Sequence, residues 1–379
     1  MKRNNINYFC LCLIFVSMMF PLLTINAFGQ SKEKAASTSA RSAVLYLPDT
    51  EDFLYCKNAD LQLPMASTTK IMTALVALEN SSLTDTVAID DSAIGIEGSS
   101  AYLRHGDVLT MEELLYALLL QSANDAATAI ACHISGGVDE FAILMNSKAC
   151  ELGLCNTHFT NPHGLDDENH YTTAKELAII AANALKNDTF KKIVSTYKKT
   201  FTSEERTRTY VNHNKLLRLY DGCIGVKTGF TKKSGRCLVG AAEKDGLTFI
   251  TVTLDAPSDW NDHSAMLDFG FAEKKSVTLA DIDEIHYELP VINGKSDKIT
   301  VKNENRLTAI LDNNGKEIKQ HIKLPRYVTA PINKGDILGE IIYTIDGSQI
   351  GKVNLIATES IEQEKTFWDK ILSLFNKTE

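Results

Sequence analysis

The sequence lacks the signatures of several common protein classes. Its 379 residues include 39 Lys and Arg against 48 Asp and Glu, which gives a formal net charge of −9. An acidic chain without a basic block argues against nucleic acid as the main partner, because nucleic-acid binding needs clustered positive charge. A His-Glu-x-x-His motif is missing, which disfavours a zinc peptidase. A Gly-x-Ser-x-Gly motif is also missing, which disfavours an α/β-hydrolase.

The cysteines do not have the spacing of a metal site, and we expect neither a metal nor a cofactor. Two of the eight cysteines, Cys10 and Cys12, lie in an apolar segment near the N-terminus. The other six are Cys56, Cys132, Cys150, Cys155, Cys223 and Cys237. An even number permits disulfides in an exported protein, although their connectivity cannot be read from sequence. The alternative is free, buried thiols that behave as small apolar side chains.

The N-terminal segment predicts export. Lys2 and Arg3 precede an apolar run over residues 9–23, and the stretch 25–27 offers a small residue, Ala27, at a plausible cleavage point. This order is typical of a secretory signal peptide, here residues 1–27. An uncleaved anchor is the alternative, although the run is rather short to span a bilayer. Residues 28–42 are rich in Ser, Ala and Lys and are expected to be a flexible N-terminus.

The next part of the chain predicts a hairpin followed by helices. Apolar stretches at 43–47 and 53–55 flank a run of turn residues and indicate a β-hairpin. Residues 64–188 are expected to be mainly helical. Thr110 and Thr173 are each followed three residues later by glutamate, the pattern of a capping box at a helix start.

After residue 190 the pattern indicates strands again. Residues 224–230 suit a strand, and 237–242 with 247–254 suit a second hairpin, before a closing helix at 262–271. Strands at both ends, with helices between them, favour an α+β fold. In that fold an antiparallel sheet is covered by helices and accompanied by a mainly helical subdomain.

The C-terminal part differs from the rest. Short alternating stretches separated by Asn-Gly and Asp-Gly turns predict a small all-β domain over 279–358, after a first domain over 43–278. Residues 359–379 are predicted to be an amphipathic helix that binds a membrane interface, or that docks onto the protein's own core. The apolar face of this helix would carry Ile361, Trp368, Ile371, Leu372 and Phe375.

Three short motifs carry the chemical signal. They are Ser67-Thr-Thr-Lys70, Ser122-Ala123-Asn124 and Lys227-Thr228-Gly229. The Ser-x-x-Lys spacing also occurs at Ser31/Lys34, in the predicted flexible segment, and at Ser195/Lys198, in a basic run that reads as a solvated face. Each motif alone is a weak signal, but the three in this order, each on the expected element, form a strong one.

The residue types and spacing of the first two motifs suggest a chemical role for each of their residues. Residues i and i+3 share a helix face, so Lys70 can reach the hydroxyl of Ser67. Serine needs a base to become a nucleophile, and lysine is one only when burial and nearby positive charge lower its pKa. Lys227 would supply such charge. Ser122 would relay a proton to the leaving nitrogen, and Asn124 would orient Lys70 and a substrate amide.

The third motif suits the binding of a carboxylate. Lys227 offers a point charge and Thr228 a hydroxyl donor, while Gly229 lets the strand backbone approach the substrate. An oxyanion hole needs two backbone N–H groups, and those of Ser67 and Phe230 are the natural candidates.

The three motifs resemble those of the penicillin-binding protein and serine β-lactamase superfamily. Their surroundings resemble the low-molecular-mass D-alanyl-D-alanine carboxypeptidases of the S11 type. The supporting stretches are residues 65–70, 121–125, 161–165, 212–217 and 225–231. The resemblance implies removal of the terminal D-alanine from peptidoglycan stem peptides through an acyl-serine intermediate, with β-lactam antibiotics as covalent inhibitors. It assigns Ser67 as nucleophile, Lys70 as base, Ser122 as proton relay and Lys227 as carboxylate binder.

Other functions on the same fold remain open at this point. Class A β-lactamases usually carry Ser-Asp-Asn and a loop glutamate, whereas this chain has Ala123 and, in the loop 160–170, only Glu168 outside the expected pattern. A DD-endopeptidase and a non-catalytic cell-wall binding protein are the further alternatives. The expected location is the outer face of the cytoplasmic membrane and the cell-wall space.

Overall fold

The computed structural model describes residues 37–202 and 206–364, and these residues fall in one compact unit. The predicted signal peptide and the Ser31/Lys34 pair lie outside the described residues. So does residue 365 onward of the predicted terminal helix. In the described residues the α-helices are, in chain order, α1 (Lys70–Asn80), α2 (Met111–Leu120), α3 (Asn124–Ser135), α4 (Val138–Glu151), α5 (Ala174–Leu185), α6 (Asp188–Ser195), α7 (Leu216–Leu219) and α8 (Asp259–Glu273).

The strands that precede α8 form a central five-stranded sheet and two small two-stranded sheets. They are β1 (Ser42–Leu47), β2 (Asp52–Lys57), β3 (Thr86–Ala88), β4 (Val108–Thr110), β5 (Lys198–Thr202), β6 (Thr207–Val211), β7 (Cys223–Thr231), β8 (Gly235–Lys244) and β9 (Leu247–Leu254). The central sheet has the order β2-β1-β9-β8-β7, and every neighbouring pair in it is antiparallel. The predicted α+β fold and both predicted hairpins are confirmed, and β7 lies at the sheet edge.

Apolar cores cover both faces of the central sheet. Successive side chains of a strand point to opposite faces. Val44 and Tyr46 of β1 accordingly pack into the core shared with the helical part of the chain. Leu45 and Leu47 pack into the second core together with Met266 of α8. Strand β8 likewise contributes to both cores, with Val239 in the first and Ala242 in the second.

Helix starts in the helical part follow the expected capping chemistry. At α2 the Thr110 hydroxyl accepts from the backbone N–H of Glu113, and the Glu113 carboxylate accepts from the N–H of Thr110. At α5 the Thr173 hydroxyl accepts from the N–H of Glu176, but the Glu176 carboxylate turns instead to the backbone N–H of Asn156. The first capping box is therefore complete, whereas the second is half formed.

Helices α3 and α4 meet at a sharp bend. Within residues 37–202 and 206–364, no single helix is long and apolar enough to cross a bilayer. Only α3 and α4 taken together reach the required length and composition, and they do so as a pair bent by 83°.

The C-terminal part of the described chain is all-β, as predicted. Its strands are β10 (Lys274–Ala280), β11 (His286–Ile292), β12 (Lys298–Asn303), β13 (Leu307–Asp312), β14 (Lys319–Lys323), β15 (Val328–Thr329), β16 (Ile337–Ile345) and β17 (Ser348–Ala357). Strands β10 and β13 form one sheet, and the others form a second in the order β14-β16-β17-β12-β11-β15. Strand β10 begins directly after α8 ends, which is before the predicted boundary at residue 279.

The predicted tail helix is wrong at its first apolar position. Ile361 forms an antiparallel bridge with Ile332, with backbone N–H to carbonyl bonds of 2.9 Å in both directions. Its side chain is buried in the core of the β-rich part. In sequence, an isolated isoleucine fits the apolar face of a helix as well as it fits a strand. The backbone pairing with Ile332 shows that Ile361 is strand-like in this structure.

The six cysteines of the described chain are all free thiols. The interpretation as disulfides is therefore wrong, and the interpretation as free thiols is confirmed. Burial was the wrong expectation for three of them, because Cys56, Cys150 and Cys155 are exposed and only Cys237 is fully buried.

Candidate active site

Ser67 lies on a tight turn that precedes α1 rather than on the α-helix itself. The turn is a 3₁₀ helix, Ala66–Thr69, and Ala66 adopts a positive φ of 49°. Two side chains close it: the Thr68 hydroxyl donates to the Met65 carbonyl at 2.6 Å, and the Thr69 hydroxyl donates to the Ala66 carbonyl at 2.7 Å. We call Ala66–Thr69 the nucleophile turn.

Lys70 is fully buried and reaches the Ser67 hydroxyl as predicted. The ammonium nitrogen Nζ lies 3.0 Å from Ser67 Oγ, 2.7 Å from Asn124 Oδ1 and 2.5 Å from the carbonyl oxygen of His163. The Asn124 amide orientation is fixed because its Nδ2 donates to the Glu97 carbonyl, which only accepts. Two of the three partners of Nζ are therefore obligatory acceptors.

The electrostatic surroundings lower the pKa of Lys70 well below its ordinary value. Burial is the main cause, the positive charge of Lys227 adds to it, and Asp125 opposes it. A neutral amine has two N–H donors and one lone pair. With both donors used by Asn124 and His163, the lone pair is left for the Ser67 hydroxyl, which donates to it. The geometry thus suits transfer of the Ser67 proton to Lys70.

Ser122 and Asn124 occupy the break between α2 and α3. Ser122 has a positive φ of 61° and is buried, with 5% of its surface exposed. Asn124 is held at both its side chain and its backbone, whose N–H donates to the Ser99 carbonyl at 2.7 Å. An amide nitrogen has two N–H donors, and Nδ2 of Asn124 uses one of them for the Glu97 carbonyl. The expected contact of this amide with substrate stays a prediction, whereas its contact with Lys70 is present.

The third motif lies on a strand, β7, as predicted, and this strand is at the edge of the central sheet. Lys227 is fully buried, which lowers its pKa to about 7, and its Nζ donates to the Thr228 carbonyl at 2.9 Å. For Gly229 the structure adds a second reason to the expected approach of substrate. A Cβ there would lie 3.0 Å from the Ser67 backbone nitrogen and 3.1 Å from the Met65 carbonyl oxygen. Glycine is therefore needed because the nucleophile turn packs directly on β7.

The predicted oxyanion hole is consistent with this close packing. The backbone nitrogen of Ser67 approaches β7 at Gly229, and Phe230 is the next residue along that strand. Both residues line the same cavity, and their role as oxyanion-hole donors stays a prediction.

A cavity of about 350 Å³ brings most of the predicted residues together. It is lined by Ser67, Ser99, Ser122, His213, Lys215, Thr228, Gly229, Phe230, Arg236, Cys237, Asp259 and Trp260. Lys70, Asn124 and Lys227 are absent from this lining, because their side chains are buried behind it. The predicted site is thus one cluster, with the hydroxyls at the surface and the lysines underneath.

The sequence analysis assigned no role to several residues of the cavity lining, including Lys215, Arg236, Asp259 and Trp260. Lys215 belongs to a stretch that supported the family resemblance but received no role. Arg236 lies opposite Phe230 in the β7–β8 register, so counting residues around the hairpin would have found it. Asp259 and Trp260 begin α8 and have no local signal that connects them with the three motifs.

The loop 160–170 supports the nucleophile turn. The Thr69 hydroxyl lies 2.8 Å from His170 Nε2, and the carbonyl of His163 holds Lys70. Burial lowers the pKa of His163 to about 3 and that of His170 to about 4, so both rings are neutral and structural. Glu168 is exposed and does not line the cavity.

The remaining sequence candidates do not form sites in the described chain. Ser195 ends α6 and Lys198 begins β5, and both are exposed, which confirms the interpretation as a solvated face. In the residues that the structure describes, no group of three or more His, Cys, Asp or Glu side chains is arranged to hold a metal ion.

Comparisons with known proteins cover nearly the whole described chain. Residues 29–258 match the family model described as D-alanyl-D-alanine carboxypeptidase. Residues 275–363 match the C-terminal domain of penicillin-binding protein 5. The D-alanyl-D-alanine carboxypeptidase DacF of Bacillus subtilis is 34% identical over 92% of this chain and 94% of its own length. DacC of Escherichia coli, with the same description, is 31% identical over 91% and 90%.

A solved structure agrees with these sequence matches. Penicillin binding protein 5 from Haemophilus influenzae superposes with a TM-score of 0.63 at 29% identity, over 86% of this chain and 98% of that one. The long family match, the two full-length relatives and the shared fold lead to one conclusion. The chain belongs to the peptidase S11 family of D-alanyl-D-alanine carboxypeptidases.

Proposed function

We propose that this D-alanyl-D-alanine carboxypeptidase works by a serine mechanism, with Ser67 as nucleophile and Lys70 as general base. The contacts of Lys70 Nζ are the observation that supports it most. Two of its partners only accept, and the third, the Ser67 hydroxyl, is the one that can donate. The lowered pKa of Lys70, caused first by burial, favours the neutral amine that this step needs.

In the acylation step, Ser67 Oγ attacks the carbonyl carbon of the penultimate D-alanine while its proton moves to Lys70. The N–H groups of Ser67 and Phe230 stabilise the negative oxygen of the tetrahedral intermediate. Ser122, in the cavity wall, passes the proton from Lys70 to the leaving nitrogen. The C–N bond then breaks, D-alanine departs, and an acyl ester with Ser67 remains.

In the deacylation step, Lys70 acts a second time. It takes a proton from the water that attacks the acyl ester, and the proton returns to Ser67 Oγ as the ester bond breaks. Glu168 is exposed and outside the cavity lining, so no observation favours the loop glutamate of a β-lactamase. The substrates are peptidoglycan peptides, and β-lactams acylate the same serine when their ring amide bond opens.

The test compares two serines of the same Ser-x-x-Lys spacing. We expect labelled penicillin to attach covalently to the wild-type protein and to Ser195→Ala, but not to Ser67→Ala. Mass spectrometry of a pentapeptide ending in D-Ala-D-Ala should show loss of one D-alanine with the first two proteins only. Cleavage of a cross-linked peptide with no loss of D-alanine would instead indicate an endopeptidase, and labelling of Ser67→Ala would exclude the mechanism.

We further propose that the protein is exported and that its C-terminal segment binds the membrane surface. The support is the sequence alone: the signal-like residues 1–27, and the apolar face that includes Trp368 and Phe375. Because Ile361 belongs to the β-rich core, the truncated chain should end after Glu364. The full mature chain should sediment with lipid vesicles and the truncated chain should not; equal sedimentation would rule out the anchor.

A further inference from the structure

The β-rich part of the chain contains a second cavity. It has a volume of about 350 Å³, and its lining shares no residue with that of the active-site cavity. Its polar lining residues are Glu284, His286, Tyr287, Gln320 and Tyr343. We propose that this cavity binds a neutral sugar unit of the wall glycan to which the substrate peptides are attached. The proposal goes beyond the peptidase reaction, because it assigns a second binding site that holds the enzyme on the polymer.

The hydroxyl of Tyr343 is the observation that indicates a polar ligand. Tyr343 lies on β16 with 5% of its surface exposed. Within residues 37–202 and 206–364, its Oη has no hydrogen-bond partner. Buried polar side-chain atoms nearly always have one, so an unpaired hydroxyl in the wall of a cavity needs an explanation. A ligand hydroxyl in the cavity supplies the missing partner.

The fold places other polar groups next to this hydroxyl. Gln320 on β14 is the direct antiparallel partner of Tyr343, so the two side chains project from the same face of the sheet. Burial raises the pKa of Tyr343, and the charges of Tyr287 and Glu284 raise it further, which places both groups near the phenol. Side chains from β14, β16, β11 and the turn before β11 thus converge on one cavity.

The converging groups have hydrogen-bonding capacity left over. In the part of the chain that the structure describes, the side chains of Gln320, Tyr287 and His286 make no hydrogen bond. Glu284 uses one carboxylate oxygen, Oε2, which accepts from the Asp281 N–H at 3.0 Å, so Oε1 is left. Because Gln320 is exposed, its side chain can turn and admit a ligand hydroxyl to Tyr343.

The composition of the lining favours a sugar over an ion or a purely apolar ligand. Phenol and amide groups both donate and accept hydrogen bonds, as the hydroxyl groups of a sugar do. The tyrosine rings, together with Leu279 and Ile285 in the lining, offer apolar surface to the C–H face of a sugar ring. The lining contains neither lysine nor arginine, so a phosphate or carboxylate would lack the counter-charge that such anions need. The volume is near the lower end of small-molecule sites, which suits a short stretch of glycan.

The experiment measures binding of the full mature chain to wall glycan from which the peptides have been removed, so that the active site has no substrate on it. We expect the wild-type protein to sediment with this glycan and to be released by soluble N-acetylglucosamine oligomers. Tyr343→Phe removes only the hydroxyl, and Gln320→Ala removes only the amide. Each should weaken binding about 3- to 10-fold, the effect of one lost hydrogen bond. Both variants should still release D-alanine from a free pentapeptide at the wild-type rate.

Matched controls come from the same part of the chain. Tyr327→Phe and Gln349→Ala change the same residue types at exposed positions outside the cavity lining. Both control proteins should bind the glycan as the wild type does.

Three outcomes would overturn the proposal. Unchanged binding by Tyr343→Phe, or no binding by the wild-type protein, would leave the hydroxyl as an unpaired buried group without a ligand. Equal weakening in the controls would indicate non-specific adsorption. Loss of binding after penicillin has acylated the protein would assign the glycan to the active-site cavity. Glycan binding that depends on Tyr343, in a protein that releases no D-alanine, would support this site while it refutes the proposed peptidase function.

Discussion

Replacing Gly229 by alanine tests whether the packing of β7 on the nucleophile turn sets the active-site geometry. The added Cβ would lie 3.0 Å from the Ser67 nitrogen, 3.1 Å from the Met65 oxygen and 3.1 Å from the Thr68 nitrogen. Ordinary contacts begin near 3.4 Å, so the two backbones must separate by roughly 0.3–0.4 Å. All three atoms belong to the backbone, so no side-chain rotation can relieve the contact.

The size of the effect follows from this displacement. A misplacement of about 1 Å at an active site can cost about 100-fold in rate, so we expect Gly229→Ala to lower kcat/KM on a D-Ala-D-Ala peptide about 10-fold. Overpacking should also cost about 1–3 kcal/mol of stability. The assay is release of D-alanine, together with a thermal unfolding curve that shows the variant to be folded at the assay temperature.

A matched control is available at the start of α4. A Cβ on Gly137 would meet only the end of the flexible Glu140 side chain, which can rotate away, so Gly137→Ala should leave kcat/KM unchanged. Full activity in a folded Gly229→Ala protein would refute the idea that this contact fixes the position of Ser67. Equal losses in both variants would point to a general loss of stability instead.

Two further predictions concern protonation. Asn124→Asp puts a carboxylate at the position of the Asn124 oxygen, 2.7 Å from Lys70 Nζ. Its negative charge raises the pKa of Lys70, so the acid limb of kcat/KM against pH should move up by about 1–3 pH units. An unmoved acid limb would mean that Lys70 is not the base. Burial lowers the pKa of His263 from 6.5 to about 3. Below pH 6.5 the unfolded chain therefore binds a proton that the folded chain does not. The free energy of unfolding consequently decreases as the pH falls from 6.5 toward 3. His263→Gln should therefore reduce the slope of unfolding free energy against pH between 4 and 6 by about 1.4 kcal/mol per unit, measured by denaturant titration, and an unchanged slope would contradict the buried neutral ring.

Elements with a strong local signal were predictable from sequence. The capping box at Thr110 is formed as expected, because its two hydrogen bonds connect residues only three apart. The hairpin of β8 and β9 was also expected, since Asp245-Gly246 supplies the two positive φ values of a tight turn. In such segments the residues that decide the conformation are neighbours in sequence, so the pattern contains the information.

The conformation at Ser67 was only partly predictable because it depends on distant residues. Sequence indicated a helix start, and the structure has a 3₁₀ turn before the helix. A Cβ on Gly164 would lie 2.0 Å from the Ala66 carbonyl oxygen, and His170 contacts Thr69. The loop that shapes the turn follows it by about 100 residues, so the local pattern does not contain this constraint.

The two Ser-x-x-Lys pairs of the described chain show why spacing alone does not make a base. Ser67/Lys70 and Ser195/Lys198 have the same spacing, but Lys198 lies at the exposed start of β5, where water solvates its charge. Lys70 is buried under Asn124 and the carbonyl of His163, which are 54 and 93 residues away in sequence. Burial by these segments, followed by the charge of Lys227, lowers its pKa. The second and third motifs therefore do more than bind substrate, because residues from them create the environment that gives the first motif its reactivity.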